Sequence, residues 1–219
     1  MEKLVKKIKV TTQLTLLTGL HIGGSSENVE IGGIDNPVIK IATKDNQPYI
    51  PGSSIKGKMR CLLEQIAGAA EVCGNPEVNN LFGAIEKKSK KIEGAPSKII
   101  VRDAFLTEDS ATDLTNCDDL DMPYTESKWE NVIDRVKGTA EHPRQSERVP
   151  AGAKFNVEFI INVWDNDGDG SNLLNMLRTG INLLENDYLG GSGSRGYGQI
   201  KFDELKTVEL SEANNWTAK

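Results

Sequence analysis

Polar and apolar residues alternate along positions 6–18, with Ile8, Val10, Thr12, Leu14 and Leu16 on one face and Lys7, Lys9, Thr11, Gln13 and Thr15 on the other. A period of two predicts a strand with one face on a core and the other toward water. Residues 154–164 repeat the pattern, with Phe155, Val157, Phe159, Ile161 and Val163 inward. Elsewhere the period lengthens. Ile55, Met59, Leu62, Leu63 and Ile66 recur at helical spacing and predict a helix over 54–67. Leu173, Leu177, Ile181 and Leu184 do the same over 172–187, and the runs 98–106 and 199–208 read as further strands.

The resulting order is strand, helix, strand, strand, helix, strand. That is an α+β, ferredoxin-like βαββαβ plan, shared with RNA-recognition (RRM-like) modules, in which helices cover one face of the sheet. Three long segments, 19–52, 68–97 and 107–152, interrupt this core, so residues 1–219 read as a single decorated domain. The first is glycine-rich and of a length that points to a functional loop. The second is an irregular insertion ending in Lys87, Lys88, Lys90 and Lys91, and the third is polar without core periodicity.

Composition narrows the class. Of 219 residues 37% are hydrophobic and 26% charged, and no apolar run is long enough to span a bilayer. The first residues run into the strand pattern without the apolar core of a signal peptide, so no membrane and a cytoplasmic location are expected. Cys61, Cys73 and Cys117 support neither a disulfide framework nor a zinc cluster, and Cys61 reads as a small buried hydrophobe beside its helix stripe. A net charge of −6 argues against bulk attraction to nucleic acid. Placement matters more. Residues 107–121 form an acidic stretch read as a solvated loop, whereas cations gather at Lys56, Lys58 and Arg60, at 87–91, between Arg135 and Arg148, and at Arg195.

The most informative stretch is Ile50-Pro-Gly-Ser-Ser-Ile-Lys-Gly-Lys-Met-Arg60. Pro51-Gly52 marks a turn and Ser53 or Ser54 reads as a helix N-cap. Lys56 and Arg60 then share a face near the positive end of the helix dipole, which is unfavourable unless an anion joins them. Two readings stand: a phosphate site made of amides, Ser54, Lys56 and Arg60, or a solvated basic face. Other motifs fail on context. Gly52-x-x-x-x-Gly57-Lys58 is followed by Met59 where a P-loop needs Ser or Thr. Gly191-x-Gly193-x-x-Gly196 has a helix before it and a strand after it, the reverse of a dinucleotide fingerprint, but leaves a loop whose backbone can approach a ligand beside Arg195. Asp165 to Gly170 resembles a calcium loop, yet its twelfth position is Met176. His21 and His142 suggest no metal site, and Asp35, before Asn36-Pro37, is by default a turn-former.

Taken together, several of these segments resemble one family. His21-Ile-Gly-Gly, Ile34-Asp-Asn-Pro-Val-Ile, Tyr49 to Arg60 and Gly190-Gly-Ser-Gly-Ser-Arg-Gly-Tyr-Gly-Gln199 are similar to motifs of the repeat-associated mysterious protein (RAMP) superfamily. Tyr124 to Arg135 and Pro143 to Gly152 resemble, within it, the backbone subunits of type III-A CRISPR (Csm) effector ribonucleoproteins.

The resemblance implies copies stacked along a guide RNA with other subunits, cutting complementary single-stranded target RNA. Its implied RNA contacts are His21, Ser54, Lys56, Arg60, Gly191, Gly193 and Arg195, with Lys128 and Arg135 on a projecting thumb hairpin near 123–150. Asp35 matches the loop aspartate that cuts the target, as proton acceptor or as ligand to Mg2+ or another divalent ion. Glu126, Glu130 and Glu147 are possible assistants. A guide-binding scaffold without catalysis and a monomeric repeat-processing ribonuclease are the rival readings.

Overall fold

The computed structural model describes residues 2–24, 34–86 and 93–217. The lysine cluster of 87–91 and the part of the first glycine-rich loop at 25–33 lie outside the described residues. The two alternating segments form the centre of an antiparallel sheet. Strand β1 (Leu4–Leu16) pairs along most of its length with β8 (Lys154–Trp164), setting Ile8 opposite Ile161, Val10 opposite Phe159 and Leu14 opposite Phe155. All six are almost fully buried, because the matched register puts both apolar sets on one face.

Shorter strands extend this pair. After β2 (Lys40–Ile41) and β3 (Gln47–Ile50) come helices α1 (Gly52–Ile66) and α2 (Pro76–Phe82), strands β4 (Ile99–Val101) and β5 (Ala104–Leu106), and helix α3 (Glu108–Thr115). Strands β6 (Glu126–Ile133) and β7 (Ala140–Arg148) then form a separate two-stranded hairpin. Beyond β8, helix α4 (Ser171–Glu185) leads through the second glycine-rich loop to β9 (Ile200–Phe202) and β10 (Lys206–Ser211). The sheet order is β10-β1-β8-β5-β3-β2, with β9 beside the end of β1 and β4 beside β8. Helices α1 and α4 close over the inward face. A side chain at Gly180 of α4 would come within 3.3 Å of Leu63 and 3.5 Å of Met59, so the two helices meet closely there.

Several expectations need correction. The first helix starts at Gly52 and not at Ser54, and no serine caps it: Pro51 holds the cap position, and the Asp103 carboxylate accepts the Gly52 amide at 2.8 Å. A carboxylate from a distant segment thus does what a local hydroxyl was expected to do. The same Asp103, with Arg102, interrupts the strand predicted over 98–106 and divides it into β4 and β5.

The last strand is also divided, at Asp203–Leu205, where the Asp203 amide bonds the Gln13 carbonyl at 2.9 Å and the Thr12 hydroxyl bonds the Asp203 carbonyl at 3.0 Å. The acidic stretch opens as α3 and not as a loop, with Thr107 accepting the Ser110 amide and Glu108 and Asp109 in the favourable first turn. Cys61 and Ile66 are exposed: Cys61 turns away from the buried stripe of Ile55, Met59, Leu62 and Leu63, and Ile66 is the last residue of α1; Cys73 is the buried thiol. Among the described residues no helix is long and apolar enough to cross a membrane.

Candidate nucleic-acid interface

Three segments far apart in sequence converge at the base of the β6–β7 hairpin. Leu20 of the first loop bridges Val149, and Gly23 bridges Val38. Asn36 bridges Ser146 in parallel, so residues 34–39 run between the first loop and β7. Asp35 is exposed at this junction, and one of its carboxylate oxygens accepts the Gln145 amide at 3.2 Å. On the other side, the His21 Nδ1 lies 2.6 Å from the Glu147 carbonyl. A carbonyl only accepts, so Nδ1 carries the proton and a neutral ring presents Nε2 as the free base.

The second glycine-rich loop packs on the same junction. The Gly191 amide donates to the His21 carbonyl at 2.8 Å. Gly190 has a positive φ of 77°, and a Cβ there would lie 2.3 Å from that carbonyl oxygen; at Gly193 a Cβ would collide with the Tyr188 ring at 2.0 Å. Close approach at these two positions is therefore made to the protein's own chain.

Cations surround the loop. Arg195 pairs with Glu130 of β6 at 3.3 Å and donates to the Ser192 hydroxyl at 2.6 Å, and Arg144 of β7 reaches the same carboxylate at 3.3 Å. Lys128 and Arg148 lie 4.4 and 5.1 Å from the centre of the buried Tyr197 ring, within cation–π range. Arg148 also pairs with Glu126. Partial burial pushes the Glu130 carboxyl up, but the Tyr197 hydroxyl, Arg195 and Arg144 outweigh it and hold it below the usual glutamate range. Burial, and then the Glu130 charge, push the Tyr197 phenol above its ordinary value. A phosphate arriving here would meet two arginines held half-exposed by one carboxylate.

Residues 56 and 60 of α1 share a face, as their spacing requires, and that face turns to the chain itself. Lys56 donates to the Ser97 hydroxyl at 2.7 Å and the Ile99 carbonyl at 3.1 Å, and burial followed by the Arg60 charge pulls its ammonium below the usual lysine range. Arg60 bonds Glu64 at 2.9 Å and both Cys73 Sγ and the Asn79 carboxamide at 3.0 Å. The unfavourable cation pair is thus met by Glu64 within the protein. Ser54 lies in the first turn with its amide on the Pro51 carbonyl. Arg135 is exposed at the hairpin tip.

Lys58, set aside with the P-loop string, is the cation of this helix that faces the glycine loop. It lies 3.7 Å over the Tyr188 ring and 3.0 Å from Asp187. The signal was available: two positions along a helix is about 200° around it, opposite Lys56. Arg144, Arg148 and Tyr197 were also missed as individual residues, because strand pairing and not spacing sets them on one surface.

Among the described residues no three metal-ligating side chains come together. Asp35 is one exposed carboxylate, which suits magnesium, an ion that keeps waters and completes its shell with substrate phosphates.

A family model described as the RAMP superfamily matches residues 13–201. A protein of Streptococcus thermophilus named CRISPR system Cms endoribonuclease Csm3 is 44% identical over 214 residues, covering 93% of this chain and 90% of that protein. A protein of the same name from Methanocaldococcus jannaschii is 43% identical over 222 residues, covering 95% and 84%. In a crystal structure of the Csm3-Csm4 subcomplex of the type III-A CRISPR-Cas interference complex, one chain is 31% identical to this one. It superposes with a TM-score of 0.60 over 96% of this chain and 83% of that one.

Proposed function

The chain belongs to the RAMP superfamily, and on that premise we propose that it is the backbone subunit of a type III-A CRISPR ribonucleoprotein, an endoribonuclease that cuts target RNA paired to a guide. The sheet order supports reading the core as ferredoxin-like: β9 and β10 flank β1, β1 flanks β8, and β8 flanks β4 and β5, all antiparallel. The β6–β7 hairpin corresponds to the thumb, and its outer half leaves Trp129, Ile133 and Val136 exposed. Copies of the chain stack head to tail along the guide and with the other subunits.

One observation carries this reading: an exposed aspartate, Asp35, is pinned by a main-chain amide to the base of a hairpin whose flank carries Lys128, Arg144, Arg148 and, across Glu130, Arg195. Cations there neutralise the ribose-phosphate chain, and the hairpin intrudes between bases. Splaying a nucleotide lets its own 2′-hydroxyl attack the adjacent phosphorus in line. The bond to the 5′-oxygen of the next nucleotide breaks, that oxygen leaves as a hydroxyl after taking a proton from water, and a 2′,3′-cyclic phosphate remains. The alignment is an orientation effect that supplies much of the rate. Asp35 accepts the hydroxyl proton as general base. A magnesium ion held by Asp35 and the RNA phosphates would stabilise charge developing on the phosphoryl oxygens.

His21, Gly191 and Gly193 line the same junction. Ser54, in the opening turn of α1, and Lys56 and Arg60, further along it and held by partners within the chain, are proposed as guide contacts, and Arg135 as a contact of the hairpin tip. To test the reading, the guide-loaded assembly is given complementary and non-complementary RNA. Regularly spaced fragments from the complementary strand alone are expected, and fragments from both, or from neither, contradict it.

A further inference from the structure

Glu147 is a fully buried carboxylate at the base of an exposed hairpin, 1% accessible. One oxygen accepts the Thr125 hydroxyl at 2.6 Å and meets the Lys40 ammonium at 2.5 Å, and the other accepts the Val38 amide at 2.8 Å. Its backbone is equally engaged: its amide donates to the Asn36 carbonyl at 3.0 Å, and its carbonyl accepts from His21. A single residue of β7 thus grips the Asp35 loop on its C-terminal side twice, the strand after it through Lys40, the first loop through His21 and the start of β6 through Thr125.

Burying a carboxylate is costly, and apolar side chains of similar size commonly hold such a place as well or better. What a carboxylate adds is direction. It fixes the Val38 amide, and with it the backbone leaving Asp35, against the strand whose Gln145 amide holds the Asp35 carboxylate. We infer that Glu147 is a positioning residue for RNA cleavage, setting the Asp35 carboxylate at the base of the hairpin without touching the RNA. The inference rests on Asp35 being the catalytic residue. It also separates the three glutamates near the site: Glu126 and Glu130 face arginines on the surface, whereas Glu147 faces the Asp35 loop from within.

The test uses the guide-loaded assembly with complementary RNA under single-turnover conditions. Glu147→Ala is expected to slow cutting at least tenfold, since small displacements of a reacting group cost that much or more. Binding of the target should stay within twofold, and Glu147→Gln, which keeps an acceptor for Val38, should recover part of the rate.

A role exercised through Asp35 makes the two changes non-additive, so Asp35→Ala with Glu147→Ala should be no slower than Asp35→Ala alone. Hydrogen exchange should show the Val38 amide opening at least tenfold faster in Glu147→Ala. Full-rate cutting by either Glu147 variant, or a double variant slower than Asp35→Ala, overturns the inference. Should Glu147→Ala fail to assemble, Glu147→Gln carries the comparison. Full-rate cutting by Asp35→Ala overturns instead the functional reading on which the inference stands. Val38 exchange then still judges the tether, and an amide that stays protected in Glu147→Ala refutes it.

Discussion

Arg195 in the glycine loop and Glu130 on β6 form an ion pair at 3.3 Å across 65 residues of sequence, and this pair latches the hairpin to the core. The glutamate is only 11% exposed while the arginine is about half exposed. Glu130 therefore acts as the fixed member, and Arg195 and Arg144 gather on it.

Removing that carboxylate should loosen the hairpin. Glu130→Gln is expected to lose about 1 kcal/mol in urea denaturation, the size of a partly exposed pair with good geometry. The pH dependence has a definite sign. A glutamate whose folded pKa is depressed contributes stability that is complete above its unfolded pKa, about 4.3, and is lost as pH falls through the lower folded value. Acid titration should therefore show a loss below about pH 4.3 that Glu130→Gln lacks.

Arg60 makes a different prediction. Its three partners lie within the chain, and Glu64 beside it is buried. Arg60→Ala should destabilise the isolated protein by about 3 kcal/mol, because it leaves a buried carboxylate without its cation. Arg60→Lys should restore little of this, since an ammonium lacks the fork that reaches all three. Lys58→Ala, which removes a partly exposed pair with Asp187, should cost about 0.5 kcal/mol. Denaturation of the three variants side by side checks this.

These differences show how far the residues alone lead. The β1–β8 pair was legible because each strand buries one face, so period and burial coincide. The α1 stripe was legible for the same reason, up to Leu63. What failed was anything settled by a distant partner: the cap of α1 is Asp103, the division of the strand predicted over 98–106 follows from that same aspartate, and the charge on Arg60 is met partly by Asn79. The site was legible in the same uneven way. Asp35 and Arg195 stood in recognisable segments and Glu147 among three possible assistants, but in an insertion with no apolar period nothing marked Glu147 or Thr125 as buried.

The cations flanking the glycine loop should set the salt dependence of RNA binding. For single strands each phosphate contact contributes about 0.7 to the slope of log affinity against log salt. Arg195→Ala and Lys128→Ala should each lower that slope by about this amount, and filter-binding titrations between low and moderate salt measure it.

Chelation separates binding from cutting. With a single protein carboxylate at the site, any divalent ion is held largely by water and RNA. EDTA should therefore abolish cleavage while leaving the protein's melting temperature within a degree or so of its untreated value. A thermal shift assay beside the cleavage assay reads both.

The most direct measurement is cleavage of complementary RNA by assemblies carrying Asp35→Ala. Guide loading and target affinity should stay within twofold, while the rate falls at least about 100-fold, the usual share of a positioned general base. Cutting at the unaltered rate, with binding intact, would contradict the account.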